Sequence, residues 1–320
     1  MKIGFIGLGN VGGKLAGSLQ NNGFELIVRD IDKAAAQPLL ANGAQWAESP
    51  KALAQSADII ITCLGSPAIV SVVMESEDGV IAGLDEGKIW LEMSTTDEAE
   101  VKRIGALVAA KGAIPMDSPV SGGCHRAATG NIAILVGGDR AGFEKAFPAI
   151  AVMGNEILHT GPLGSASVIK VITNYLAGVH LVALGEAWAV AKLSGMDLAT
   201  AYEAIRISSG NSFVHETESQ VILNGSYNIN FTNDLAVKDM SIFNDLGNRY
   251  GIPMEIAPLA LDIIKDGLSQ FGSRAWSSMV VKRLEDACNT DFRAEGFPEI
   301  LEDDEPFQIG KEIKVRGRDF

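Results

Sequence analysis

Apolar and polar positions fall into two regimes along the chain. Through the first half, short runs rich in β-branched residues (KIGFIG, ELIVRD, ADIIITC, KIWLEM, AILVGG) alternate with helical stretches (GKLAGSLQNNG, DKAAAQPLLANG, DEAEVKRIGALVAAKG). Each helical stretch ends at a glycine, as helices commonly do. Nearly continuous apolar strands separated by helices predict a parallel sheet covered on both faces. Near residue 160 the pattern changes. After LHTGPLG no strand pattern is visible, and Ser165–Leu193 reads as one long helix. Further helices are predicted around Leu198–Ile207, Asn233–Tyr250, Pro258–Gly267 and Ala275–Glu285. The expected fold is an α/β, Rossmann-type, doubly wound parallel sheet plus an all-α C-terminal domain, joined by the long helix. The expected boundaries are 1–162 for the α/β domain, 163–290 for the helical domain, and 291–320 for a charged C-terminal tail.

Composition narrows the function. The chain has 320 residues, which at about 150 residues per domain agrees with two domains. It carries 40 Asp+Glu against 26 Lys+Arg, a formal net charge of -14. Such a balance argues against nucleic acid and against an anionic membrane surface as partners. The stretch Val171–Leu193 is the most apolar, but it contains Asn174, His180 and Glu186. It therefore reads as a buried helix rather than a membrane span, with His180 a core residue and Glu186 a helix–helix contact. The N-terminus, MKIGFIGLGN, shows no cleavable signal pattern. Cys63, Cys124 and Cys288 are too scattered for a disulfide framework, and the four histidines lack metal-ligand spacing. A cytoplasmic protein without a metal is expected.

Gly7-Leu8-Gly9-Asn10-Val11-Gly12 fits G-x-G-x-x-G and lies between a predicted strand and a predicted helix, the context this fingerprint requires. Gly7 would permit the tight turn, Gly9 the approach of a pyrophosphate, and Gly12 close helix–strand packing. The helix N-terminus would supply N–H groups and a positive dipole end. Asp30 closes the second strand 18 residues after Gly12. An acid there accepts hydrogen bonds from ribose hydroxyls and repels a 2′-phosphate, which favours NAD over NADP. Arg29 is the one feature pointing the other way.

Four ordered blocks then carry a resemblance: GFIGLGNVG at 4–12, DSPVSGG at 117–123 with ATGNIAILVGG at 128–138, GPLGSASVIKVITN at 161–174, and LAVKD at 235–239. Over roughly residues 1–290 the chain resembles the β-hydroxyacid dehydrogenase family, of the 3-hydroxyisobutyrate dehydrogenase type. The resemblance implies that Lys170 is the catalytic residue. Physical chemistry agrees, because a lysine whose pKa is lowered by burial or by another cation can take the hydroxyl proton as hydride leaves. It also implies that Asn174, one helical turn further on, orients the substrate. Ser121, Gly122 and Gly123 would hold the substrate carboxylate through a hydroxyl and backbone amides. By the same resemblance Lys238, of the Lys238–Asp239 pair, lies near the nicotinamide and substrate, and Leu64 and Thr95 line the nicotinamide half. His125 and Arg126 would meet a second polar group or sit in a solvated loop.

Some positions depart from the family. Thr173 stands where many relatives have Asn or His, Gly65 where many have Pro, and FGSRAWSS at 271–278 lacks the usual acid. The segment IRISSGNSFVHE, 205–216, is the specificity region by resemblance. The reading is an NAD-dependent oxidoreductase acting on a small 3-hydroxy carboxylic acid, assembled as a homodimer or homotetramer. The rivals are an NADPH-dependent semialdehyde or imine reductase and, more remotely, a non-catalytic NAD(P)-binding protein.

Overall fold

A computed structural model describes residues 1–317. The chain forms two compact units. One comprises Met1–Lys170 together with the stretch from Asp303 onward, and the other is Val171–Glu302.

In the first unit, strands β1 (Lys2–Ile6), β2 (Glu25–Arg29), β3 (Gln45–Trp46), β4 (Ile59–Thr62), β5 (Ile89–Glu92) and β6 (Ile114–Asp117) form a parallel array in the order β3-β2-β1-β4-β5-β6. Helices α1 (Gly12–Asn21), α2 (Gln37–Ala41), α3 (Pro50–Ser56), α4 (Pro67–Glu75) and α5 (Glu98–Ala109) connect them. Alternate residues of β4 go to opposite cores. Ile59 and Ile61 pack with Phe5, Leu15 and Leu91, while Ile60 packs with Leu53, Trp90 and Ile104. Burial on both faces is why these strands read as unbroken apolar runs.

Beyond β6 the direction reverses. Strand β7 (Val120–Ser121), helix α6 (Gly123–Thr129), strand β8 (Ile132–Gly138), helix α7 (Arg140–Ile150) and strand β9 (Gly154–Gly161) follow, with β8 antiparallel to β6 and parallel to β9. The single short helix α6 does not provide the crossover that a parallel return requires. The C-terminal stretch comes back as strand β10 (Lys311–Glu312), which pairs with β9 at the sheet edge. The expected tail thus continues the sheet. A bidentate pair from Arg140 to Glu312 fastens it.

Helix α8 (Ser165–Leu193) begins in the first unit and continues into the second. There α9 (Leu198–Arg206), α10 (Phe213–Asn224), α11 (Asn233–Arg249), α12 (Ile256–Phe271) and α13 (Lys282–Ala287) follow, α13 being preceded by a 3-10 turn at Ser277–Val281. Leu181, Leu184 and Trp188 of α8 pack with Ile222, Leu223, Met240 and Ile264. Helix α8 is long and apolar enough to cross a membrane, yet only 28% of its most apolar window is buried. The expectation of a buried helix therefore holds for one stripe. His180 and Glu186 lie outside that stripe and are exposed, so neither is a core residue.

Candidate functional site

The turn from β1 to α1 is made by Gly7–Val11. Gly7 has φ 96°, a conformation L side chains rarely adopt, and a Cβ there would collide with the carbonyl oxygen of Cys63. A Cβ on Gly12 would collide with the Gly7 carbonyl oxygen. On Gly9 it would meet nothing within 4 Å. Two glycines thus allow the chain to close on itself, while the third faces open space. Among the described residues no side chain caps α1, and the Gly13 and Lys14 amides donate to the carbonyls of Gly9 and Val11, which leaves the positive end of the helix dipole at the loop.

Asp30, next after β2, braces this loop. Its Oδ2 accepts the Leu8 N–H at 2.6 Å and its Oδ1 accepts the Asp32 N–H at 2.9 Å. Each carboxylate oxygen keeps capacity for a further donor, as ribose hydroxyls require. The Arg29 guanidinium lies 5.0 Å from the Trp46 ring centroid, and Lys33 Nζ lies at the same distance. Both cations are thereby drawn onto the indole. The open Gly9, the uncapped helix and the placed acid fit an NAD(P) dinucleotide.

The loops after β4 and β5 are fastened together, because the Leu64 N–H donates to Ser94 Oγ at 2.7 Å. Thr95 follows directly. Ser121 ends β7, opposite Ala133 of β8. Gly122 and Gly123 have φ 131° and 87°, which turns the chain sharply into α6. The His125 ring folds back towards Gly123, where an added Cβ would lie 2.8 Å from its Cε1. Burial, and then the Arg126 charge, pull the His125 pKa below its ordinary value. Arg126 lies 3.6 Å from Glu305 of the C-terminal stretch.

Lys170 is 8% exposed, on the second turn of α8. The start of that helix is held by Asp117, whose carboxylate accepts the Gly164 N–H at 2.8 Å, the Ser167 N–H at 2.6 Å and the Ser167 hydroxyl at 2.8 Å. Burial pushes the Asp117 carboxyl above its usual range, against the pull of these bonds. In the second unit, Asn174 Nδ2 donates to Asp239 Oδ2 at 2.5 Å, and Lys238 Nζ lies 3.0 Å from Asp239 Oδ1. Asp239 is 2% exposed. The Lys238–Asp239 pair is therefore no surface pair. One buried carboxylate draws Asn174 and Lys238 together.

Two family models match. The one described as the NAD binding domain of 6-phosphogluconate dehydrogenase spans residues 2–161. The one described as the NAD-binding domain of NADP-dependent 3-hydroxyisobutyrate dehydrogenase spans residues 164–284. The chain is 32% identical over 283 residues to a 2-(hydroxymethyl)glutarate dehydrogenase from Eubacterium barkeri, covering 88% of this chain and 94% of that one. The chain belongs to the β-hydroxyacid dehydrogenase family.

Other members of the family agree with that assignment. An NAD-dependent L-serine dehydrogenase from Pseudomonas aeruginosa is 32% identical over 293 residues, covering 89% of this chain and 98% of that one. The crystal structure of a 3-hydroxyisobutyrate dehydrogenase from Salmonella typhimurium superposes with a TM-score of 0.81 at 28% identity, covering 88% of this chain and 99% of that one. This β-hydroxyacid dehydrogenase is thus an NAD(P)-dependent oxidoreductase acting on the CH–OH group of a hydroxyacid.

Sequence reasoning gave no role to three acids in this enzyme: Glu92, Asp117 and, beyond its pairing with Lys238, Asp239. Two of them left a signal. Glu92 and Asp117 each close an apolar strand with a carboxylate, in KIWLE and IPMD, where a charge is costly unless fixed donors meet it.

Proposed function

We propose that this dehydrogenase oxidises a small 3-hydroxy carboxylic acid with NAD, and that Lys170 is its general acid/base. The burial of Lys170, on a helix start pinned by Asp117, carries this reading. An amine held in place and shielded from bulk water can take the hydroxyl proton and return it in the reverse direction. The nicotinamide, when bound, accepts the hydride. Ser121 and the amides of Gly122 and Gly123 hold the carboxylate, while Asn174 and Lys238 orient the substrate from their shared partner Asp239. Leu64 and Thr95 flank the nicotinamide. The substrates named for the Eubacterium and Pseudomonas relatives both carry a hydroxyl on the carbon β to a carboxylate, which supports this substrate class.

NAD rather than NADP is supported by Asp30, whose charge stands at the glycine loop, and by the engagement of Arg29 with Trp46. Replacing Lys170 with Ala should lower kcat by about 100- to 10,000-fold, the usual worth of a general acid/base, with NADH affinity within twofold of wild type. Near-normal turnover would sink the assignment.

Two further properties belong to this proposal. The enzyme is a homodimer or homotetramer, supported by the exposed stripe Leu176, Ala183 and Val190 on α8; light scattering of wild type and Leu176→Glu tests it. It resides in a reducing compartment, the cytoplasm, which three cysteines without a disulfide support. Targeting of a tagged chain tests that.

A further inference from the structure

Thr62, Glu92 and Asp117 end the neighbouring strands β4, β5 and β6, in register with one another, and all three are fully buried. Glu92, in the middle, is bonded to residues on both sides. Glu92 Oε2 accepts the Thr62 hydroxyl at 2.7 Å, and Thr62 Oγ1 in turn accepts the Trp90 indole N–H at 2.9 Å. Glu92 Oε1 accepts the Ser94 N–H at 2.7 Å. Ser94 then passes the constraint on, since its Oγ accepts the Leu64 N–H. The Glu92 backbone carbonyl accepts the Ser118 N–H at 2.7 Å, at the start of the segment that leads to Ser121.

We propose that Glu92 is a positioning residue for hydride transfer: its carboxylate and carbonyl lock the Leu64 loop, the Ser94–Thr95 loop and the Ser118–Ser121 segment into one rigid shelf. A carboxylate only accepts, so each donor around it has one permitted direction. The Thr62 hydroxyl must point at Glu92, which leaves its lone pair to Trp90. The Ser94 amide must point at the other oxygen, and Ser94 Oγ in turn accepts the Leu64 N–H. An apolar residue at the same place would leave these buried donors unsatisfied, at about 1–3 kcal/mol each. This network's hydrogen bonds run to the loops assigned to the nicotinamide, and it meets the glycine loop only through Cys63 and Leu64, which pack beside Gly7. Its effect should therefore fall chiefly on the nicotinamide end of the cofactor.

The inference rests on the proposal that Leu64 and Thr95 flank the nicotinamide. Two variants and two ligands test it. Ser94→Ala removes the link to Leu64 without touching the carboxylate. Glu92→Gln keeps the shape and one acceptor but places an amide group opposite the Thr62 hydroxyl. Binding of NADH and of ADP-ribose, which lacks the nicotinamide, is measured for each, together with the primary isotope effect on kcat/KM using NADH deuterated at the transferred position. For Ser94→Ala the expected result is ADP-ribose affinity within twofold of wild type, NADH affinity lowered about fivefold or more, and a larger isotope effect. Glu92→Gln should change the same quantities in the same direction. Equal weakening of both ligands would mean general damage and would overturn the proposal, as would unchanged NADH binding and isotope effect. A wild-type enzyme that binds NADH no better than ADP-ribose would overturn the loop assignment itself, and the proposal with it.

Discussion

Asp117 accepts two hydrogen bonds from one residue, Ser167: its Oδ2 takes both the amide at 2.6 Å and the hydroxyl at 2.8 Å. With the Gly164 amide on Oδ1, the end of β6 becomes the N-terminal cap of α8. Lys170 lies one turn beyond, so the direction of its side chain depends on this clasp. Asp117→Asn keeps the size but offers one acceptor in place of two. It should lower kcat about 10- to 100-fold, equivalent to about 1.4–2.8 kcal/mol, while NADH affinity stays within about threefold. Stopped-flow hydride transfer and NADH fluorescence titration check both. An unchanged rate would remove Asp117 from the account.

Asp30 braces the Leu8 amide and, in the proposed preference for NAD, also excludes a 2′-phosphate. Asp30→Asn should therefore weaken NAD and at the same time reduce the preference for NAD over NADP by about tenfold, or about 1.4 kcal/mol. The ratio of the two kcat/KM values at matched substrate measures it. A preference left as it was would show that discrimination lies elsewhere.

Glu218 on α10 is only partly buried as a residue, yet its Oε2 is sealed from solvent and accepts no hydrogen bond from the described residues. Burial pushes its carboxyl from 4.5 up to about 8. The folded state then holds a proton that the unfolded state releases near 4.5, so this group costs stability as pH rises between those values. Glu218→Gln should match wild type in thermal melts near pH 4.5 and exceed it near pH 8.5. Parallel curves across that range would refute the burial argument.

The C-terminal stretch contributes to the first unit. The Asp303 carboxylate accepts from Thr129 Oγ1 and from Asn131 Nδ2, on either side of Gly130, where Phe307 packs. Burial opposes ionisation of Asp303, but these hydrogen bonds win and hold its carboxyl below the ordinary 3.8. A lowered folded value means the stabilisation is present above pH 3.8 and is lost as pH falls through the folded value. Asp303→Ala should cost about 1–3 kcal/mol at pH 7 and less in strong acid. Denaturant titrations at the two pH values test this. Equal loss at both would point to packing rather than charge.

The helix α10 shows why some elements escape a reading of pattern. Its sequence, FVHETESQVILN, has little amphipathic contrast, although Ser212 caps it by accepting the His215 amide and Gly225 ends it in a left-handed conformation. Those two residues, with Glu216 in the first turn, are its local signals. Strand β10 left none, since two residues cannot display a period, and only the partner strand β9 makes them a strand.

Local chemistry was sufficient for the glycine loop, Asp30 and the alternation of strands and helices. A turn with positive φ, a helix start and a two-sided buried strand each impose their requirement on adjacent residues, so sequence alone determined them. The partnerships of Asp117 with Ser167, Glu92 with Thr62, and Asp239 with Asn174 join residues between 30 and 65 positions apart. Only the tertiary structure decided these, because the stability of a buried carboxylate depends on which donors the fold brings to it.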